Sequence, residues 1–116
     1  MKRRIIQTTA FEEEVFSLIS KRKLKESDFE DFKKSLVENP KQGRVIQGTG
    51  GIRKTRLKSS SKGKGGGFRV CYLDVEGQFF LFLLSIYAKN DQENLTEEEK
   101  ADLKQIAESI KRSIKK

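Results

Sequence analysis

The chain has 116 residues, the size of one domain, and carries 25 Lys plus Arg against 17 Asp plus Glu, a formal net charge of +8. It has no His and a single Cys, which excludes Ser-His-Asp and Cys-His catalysis, histidine metal ligation, an intramolecular disulfide and a Cys-rich zinc site. With 34% hydrophobic and 36% charged residues, a small core must sit beneath a heavily charged surface.

Met1 to Gln7 is basic but turns polar after two isoleucines, too short an apolar stretch for a signal peptide. Arg4 to Thr8 is partly β-branched and reads as a first strand. Thr9 with Glu12 spells a T-x-x-E capping box. Phe11, Val15, Leu18 and Ile19 follow at helical spacing, so a helix is expected from about Ala10 into the 20s. Ser27 with Glu30 is a second box, and Phe29, Phe32, Leu36 and Val37 supply an apolar stripe. Asn39-Pro40 ends that helix, because the residue before a proline disfavours the α region. The two helices are expected to pair antiparallel.

Ile52 to Lys58 reads as a strand. Strand alternation points Ile52, Lys54, Arg56 and Lys58 one way and Arg53, Thr55 and Leu57 the other. Ser59 to Gly67 is a loop by composition. Phe68 to Val75 and Gln78 to Ala88 read as strands joined by a tight hairpin at Glu76-Gly77. Both are apolar at nearly every position, as central strands covered on both faces are. The longest apolar run, Phe79 to Leu84, is far short of the roughly 20 residues that span a bilayer. A third capping box, Thr96 with Glu99, precedes the stripe Leu103, Ile106, Ala107, Ile110 and Ile114. Lys111, Arg112, Lys115 and Lys116 crowd the end of that helix, where its dipole favours cations. The order β-α-α-β-β-β-α, without internal repeats, predicts a single α+β domain over residues 1–116 with a small, mainly antiparallel sheet. A soluble, cytoplasmic protein with no membrane partner is expected.

The charge is unevenly placed. Nine basic residues lie between Lys41 and Arg69, with no Asp or Glu among them, and the rest of the chain holds 16 basic and 17 acidic residues. Eight of the nine glycines fall in the same segment. Single-sign charge beside accessible backbone suits a polyanion better than it suits solubility alone, so a nucleic-acid or other phosphate-rich partner is expected. No G-x-x-x-x-G-K-[ST] motif occurs, and no G-x-G-x-x-G follows a strand and opens a helix, which argues against ATP, GTP and NAD. Gly48, Gly50 and Gly51 suit either a turn needing positive φ or a phosphate cradle. Cys71, with no His to activate it, reads as a small buried side chain. The acidic runs at Glu12–Glu14 and Glu97–Glu99 belong to first helical turns, where the dipole explains them without catalysis.

Lys54 and Arg56 are neighbours on one strand face, Arg69 opens the next strand, and Lys89 and Asn90 close the last one beside Tyr87. Sheet pairing can gather these on one surface; the plain alternative is a set of ordinary rim cations. Gly48 to Leu57, Gly63 to Tyr72 and Ile86 to Asp91, taken together, resemble the RelE-type toxins of the RelE/ParE superfamily, most closely the HigB subgroup of type II toxin–antitoxin systems. Leu95-Thr96-Glu97-Glu98-Glu99-Lys100 resembles the start of that subgroup's last helix. The resemblance covers most of the chain in the right order. It implies the RelE-like sheet with two helices before it and one after. It implies a ribosome-dependent messenger-RNA endonuclease that acts in the A site, inhibits translation and is neutralised by a cognate antitoxin, expected to be a helix-turn-helix protein. It places functional weight on Lys54, Arg56, Arg69 and the Lys89-Asn90 corner. The expected catalytic residues are Lys54, Arg56, Arg69 and Lys89, and the expected RNA-binding residues are Arg53, Lys58, Lys62, Lys64, Tyr87 and Asn90. Asn90 stands where the founding RelE pattern carries an arginine.

RNA cleavage by its own 2′-hydroxyl needs in-line geometry, proton transfer and stabilisation of an anionic transition state. Lys54, Arg56 and Arg69 suit the last role, and Arg can hold phosphate through two parallel N–H donors. A guanidinium stays protonated and is a poor base, so Lys54 is the better base candidate, with Tyr87, Asp91 and Glu93 behind it. Tyr72, Phe68 or Tyr87 could stack on a base, with a core role favoured for the phenylalanine. No cofactor and no metal are called for, and the expected products are a 2′,3′-cyclic phosphate, or its opened form, and a 5′-hydroxyl. Two other classes fit the same residues: a ParE-like toxin that inhibits gyrase by protein binding, and an RNA- or ribosome-binding module without chemistry.

Overall fold

The computed structural model describes residues 2–60, 67–89 and 94–114. Strand β1 (Arg4–Gln7) is followed by helices α1 (Thr9–Ser20) and α2 (Glu26–Glu38), then strands β2 (Arg44–Val45), β3 (Arg53–Leu57), β4 (Phe68–Val75) and β5 (Phe80–Ala88), and helix α3 (Glu97–Ile114). One five-stranded sheet forms in the order β1-β5-β4-β3-β2. β1 runs parallel to β5, and every other pairing is antiparallel. This is the α+β, mainly antiparallel architecture that the sequence predicts, with the two-residue β2 added at one edge.

Two of the three capping boxes behave differently from their sequence reading. α1 starts one residue early: Thr8 is its cap, and its Oγ1 accepts from the Phe11 N–H at 3.3 Å. The Ser27–Glu30 box does not form, because α2 begins at Glu26 behind Lys25, which offers no side-chain cap. The third box forms as read. The Thr96 N–H donates to Glu99 Oε1 at 2.8 Å and the Glu99 N–H to Thr96 Oγ1 at 3.1 Å. The connection at Glu76-Gly77 is longer than a two-residue hairpin: Glu76–Gln78 makes a 3-10 turn, and Phe79 closes it with φ 58°.

The sheet buries both faces. Leu57, Phe68, Val70, Tyr72, Leu81, Leu83 and Ile86 pack against α1 and α2 through Phe11, Phe29, Phe32 and Leu36. On the other face Ile52, Cys71, Leu73 and Leu84 meet Leu103 and Ala107 of α3. β4 and β5 therefore have the two-sided burial that their mostly apolar runs imply.

An irregularity in this pairing decides which residues reach which face. Cys71 pairs with Ser85, but the next residue, Tyr72, pairs with Leu83. Leu84 is the extra residue of a β-bulge. A one-residue insertion exchanges the faces of everything beyond it. Leu81 and Leu83 face α1 and α2, yet so do Ile86 and Ala88, while Tyr87 packs on the α3 side.

The 48–51 turn is a structural element. Gly48, Gly50 and Gly51 have φ of 85°, 76° and 107°, values at which a side chain is strained. Thr49 is fully buried between them. Its hydroxyl donates to the Ile46 carbonyl at 2.6 Å and accepts from the Ile52 N–H at 3.2 Å. Lys111 of α3 donates to the Gly50 carbonyl and ties the turn to the helix. Of the two readings of these glycines, the turn is the one the geometry carries.

Candidate functional site

Directly opposed residues on paired strands project from the same face of the sheet. Across β2, β3, β4 and β5 one such row is Arg44, Lys54, Cys71 and Ser85, and the row beside it is Arg56, Arg69 and Tyr87. The alternation read from sequence for β3 holds: Lys54 and Arg56 lie with Cys71 and Arg69, on the α3 side, and Thr55 and Leu57 lie with Val70 and Phe68, on the α1–α2 side. The β5 bulge brings Tyr87 into this set. Without it, Tyr87 would point towards α1 and α2.

Two pairs in these rows set like charges directly opposite one another: Arg44 with Lys54, and Arg56 with Arg69. Such pairs destabilise a sheet. Among the described residues, none of the four cations has a carboxylate within 4.0 Å.

Arg69 and Tyr87 are half-buried, and Arg69 Nη1 and the Tyr87 hydroxyl are each shut away from solvent with no hydrogen-bond partner among the described residues. Burial is the main cause that pushes the Tyr87 phenol up to about 12, with the Cys71 sulfur and Glu99 adding and Arg69 opposing. The phenol is therefore protonated throughout the neutral range. Its hydroxyl is available there as a hydrogen-bond donor. Burial likewise pushes the Cys71 thiol up, against a hydrogen bond with Ser85 and the field of Lys54. Cys71 is a fully buried core residue, as its sequence reading has it.

The remaining cations divide. Arg56, although opposite Arg69 in register, also borders with Lys58 a cleft of about 340 Å³ on the α2 side, facing Asp28 and Asp31. At its rim Asp28 Oδ2 accepts from both the N–H and the hydroxyl of Ser60 at 2.9 Å. Lys54 lines a second cleft of about 260 Å³ with Arg44, Val45, Ile46, Asn94, Leu95 and Lys100. Arg44 and Lys100 are cations of this site that the sequence reading did not single out. Arg44 is visible there only as one of nine basic residues, and Lys100 only as part of a helix start.

Arg53 has a structural engagement on the other face. Its guanidinium donates to the Gly43 carbonyl at 2.7 Å, and it sits opposite Tyr72. The Tyr72 hydroxyl accepts from the Gly43 N–H and donates to the Pro40 carbonyl, both at 2.9 Å. Tyr72 and Phe68 are fully buried, which removes both as stacking platforms. Lys89 follows the end of β5, half-buried, with its N–H donating to the Gly67 carbonyl at 3.2 Å. Lys62, Lys64, Asn90, Asp91 and Glu93 lie outside the described residues. Among the described residues no group of three or more His, Cys, Asp or Glu side chains is placed to hold a metal ion, and no helix is long and apolar enough to cross a membrane.

Residues 3–116 match the model of a protein family described as the RelE toxin of the RelE / RelB toxin–antitoxin system. Among solved structures, the chain is similar to a double arginine-to-alanine mutant of E. coli toxin RelE in the free state. The identity is 22% and the TM-score 0.51, over 80% of this chain and 90% of that one. At that identity the likeness is one of fold.

Proposed function

The chain belongs to the RelE toxin family, and from that premise we propose that it is a HigB-like endoribonuclease that cuts messenger RNA in the ribosomal A site and so stops translation. It is the toxin of a toxin–antitoxin pair, and an antitoxin is its partner. The observation that supports the nuclease reading is the strand register, which sets Arg44 opposite Lys54 and Arg56 opposite Arg69. A sheet with no anionic ligand keeps this repulsion for nothing. A phosphodiester laid along the face relieves it, and the site is then most complementary where negative charge is greatest, at the transition state.

In this reading the 2′-hydroxyl attacks the adjacent phosphorus and the 5′-oxygen leaves. Arg69 holds the non-bridging oxygens through its guanidinium fork, assisted by Arg56. The protonated Tyr87 hydroxyl adds a hydrogen bond to the developing charge. Lys54 takes the 2′-hydroxyl proton, and Lys89 gives one to the departing 5′-oxygen. The ribosome supplies the in-line alignment of the codon. The chemistry runs on side-chain cations, without a metal, and leaves a 2′,3′-cyclic phosphate and a 5′-hydroxyl.

The test is to add the purified protein to ribosomes translating a defined messenger and map the new RNA ends. The reading requires cuts within the A-site codon. An intact messenger, combined with loss of gyrase supercoiling in a parallel assay, would replace it with the gyrase-directed activity.

A further inference from the structure

The two edges of the sheet differ. β2 closes one of them with two residues and sets Arg44 opposite Lys54. β1 closes the other, and its residues Ile5, Ile6 and Gln7 carry no charge. The Arg4 and Thr8 N–H groups donate to the carbonyls of Phe79 and Leu83, at 2.7 and 3.1 Å. Backbone groups alternate in direction along a strand, so those of Arg3, Ile5 and Gln7 point away from β5. No further strand lies on that side among the described residues.

Both faces beside this edge are apolar. On the α2 side, Ile5 and Val37 line a cleft of about 530 Å³ that Lys2, Lys34 and Glu38 also border. These three charges have no ion-pair partner within 4.0 Å among the described residues. On the α3 side, Ile6 lies beside Phe82, whose ring meets that of Phe80 edge-on with centroids 6.0 Å apart. Ile6, Phe80 and Phe82 are all partly exposed.

We propose that the β1 edge seats a second copy of this chain, by antiparallel pairing of β1 with β1 about a two-fold axis. Ile5 pairs with its own counterpart, which sets Arg3 opposite Gln7 and Arg4 opposite Ile6. No like charges then face each other across the new pairing, and the outward N–H and C=O groups of the three residues find partners. The two α2 helices come together on one face, with Val37 near Val37 and Lys34 of each copy opposite Glu38 of the other. Charge selects this occupant. An acidic partner is drawn to residues 41–69, which hold nine cations and no anion, whereas the rest of the chain is within one charge of neutral. A surface carrying both signs, as Lys34 and Glu38 do, can answer a copy of itself. The β2–β3 edge lies at the far end of the sheet, so the pairing leaves both basic faces open and does not depend on what they bind.

Sedimentation equilibrium of the full chain, from about 1 μM to about 1 mM, should show a reversible dimer. Lys34→Glu and Glu38→Lys should each weaken it by about fivefold to tenfold, and the two changes together, which restore opposite signs, should recover most of the loss. Gln7→Pro removes an N–H that makes no bond to β5 and should weaken the dimer by a similar factor. Its urea midpoint at low concentration reports whether the fold is kept. A chain that stays monomeric over the whole range would overturn the proposal. So would a dimer that ignores Gln7→Pro and both charge reversals. A monomer whose Ile5 amide gains protection from hydrogen exchange only on binding an antitoxin would assign the edge to that partner and overturn it too.

Discussion

Arg69 and Tyr87 face each other across β4 and β5, and each buries a polar atom that has no hydrogen-bond partner among the described residues. Native proteins rarely leave such groups unsatisfied, because each costs roughly 1–3 kcal/mol. Two such atoms, on one face and opposite each other, lie beside Lys54 and Arg56 in the strand register.

Tyr87→Phe separates function from folding. Removing a hydroxyl that bonds to nothing should leave stability unchanged or raise it by about 1 kcal/mol, while RNA cleavage falls. Thermal unfolding and cleavage rate, measured on the same preparation, check both. Parallel losses would mean that the hydroxyl is structural.

The same phenol gives a signature in alkali. Its folded value of about 12 lies above the ordinary 10. Between those values the unfolded chain has lost the proton and the folded chain keeps it. Stability must therefore fall as pH rises from about 10 to about 12. Tyr72 and Cys71, both pushed up by burial, add losses of the same sign. Urea midpoints across that range should fall less steeply for Tyr87→Phe than for the native chain.

Arg69→Ala should abolish growth inhibition at equal expression. On sequence alone Arg69 reads as an exposed cation of little structural weight, but it is half-buried. Its Nη1 has no partner to lose, so the change in stability should stay within about 1 kcal/mol. Arg69→Lys keeps the charge and loses the fork. It should restore only a small part of the activity, as a plating assay at matched protein levels would show. Full activity in the lysine variant would mean that charge alone is used.

Relief of repulsion offers a test on the folded protein. Arg44→Gln should raise stability by about 0.5 kcal/mol, because it removes a like-charge pair with Lys54. Added salt should stabilise the native chain more than this variant. A stability loss in Arg44→Gln would show that the arginine holds the edge of the sheet.

A cognate antitoxin should meet the basic face with an acidic segment, and its association should slow with salt. Charge reversal at Lys54 and Arg56 together should weaken the complex. Unchanged affinity in that double variant would mean that the antitoxin works from elsewhere, by making the toxin too bulky for the A site.

Much of this architecture is legible in the residues because it is local. The Thr96–Glu99 box and the alternation of β3 are patterns of near neighbours and form as read; the α3 stripe buries Leu103 and Ala107 but leaves Ile106 exposed. The Ser27–Glu30 box fails because α2 starts at Glu26, which puts Ser27 inside the first turn instead of at the cap. The β5 bulge is hidden by composition: Phe80 to Leu84 is apolar at every position, so nothing in it marks where the faces exchange. Tyr87 opposite Arg69 is the product of that bulge and of a long-range register. The division of the basic segment into two clefts is set by where α2 and the start of α3 come to rest. The two-residue β2 is too short to show a period at all.

The central claim is that the cationic face cleaves RNA by 2′-hydroxyl attack. The most direct measurement is the chemistry of the new ends, on ribosomes translating a defined messenger, for the native chain and for Arg69→Ala. Magnesium is to be chelated only in ribosomes first stabilised by other means. The account predicts a 2′,3′-cyclic phosphate, or the 3′-phosphate or 2′-phosphate it opens to, and a 5′-hydroxyl from the native chain. It also predicts persistence under chelation and loss of both ends in the variant. A 3′-hydroxyl with a 5′-phosphate, or cutting that stops with the chelator and returns with a transition metal, would contradict it.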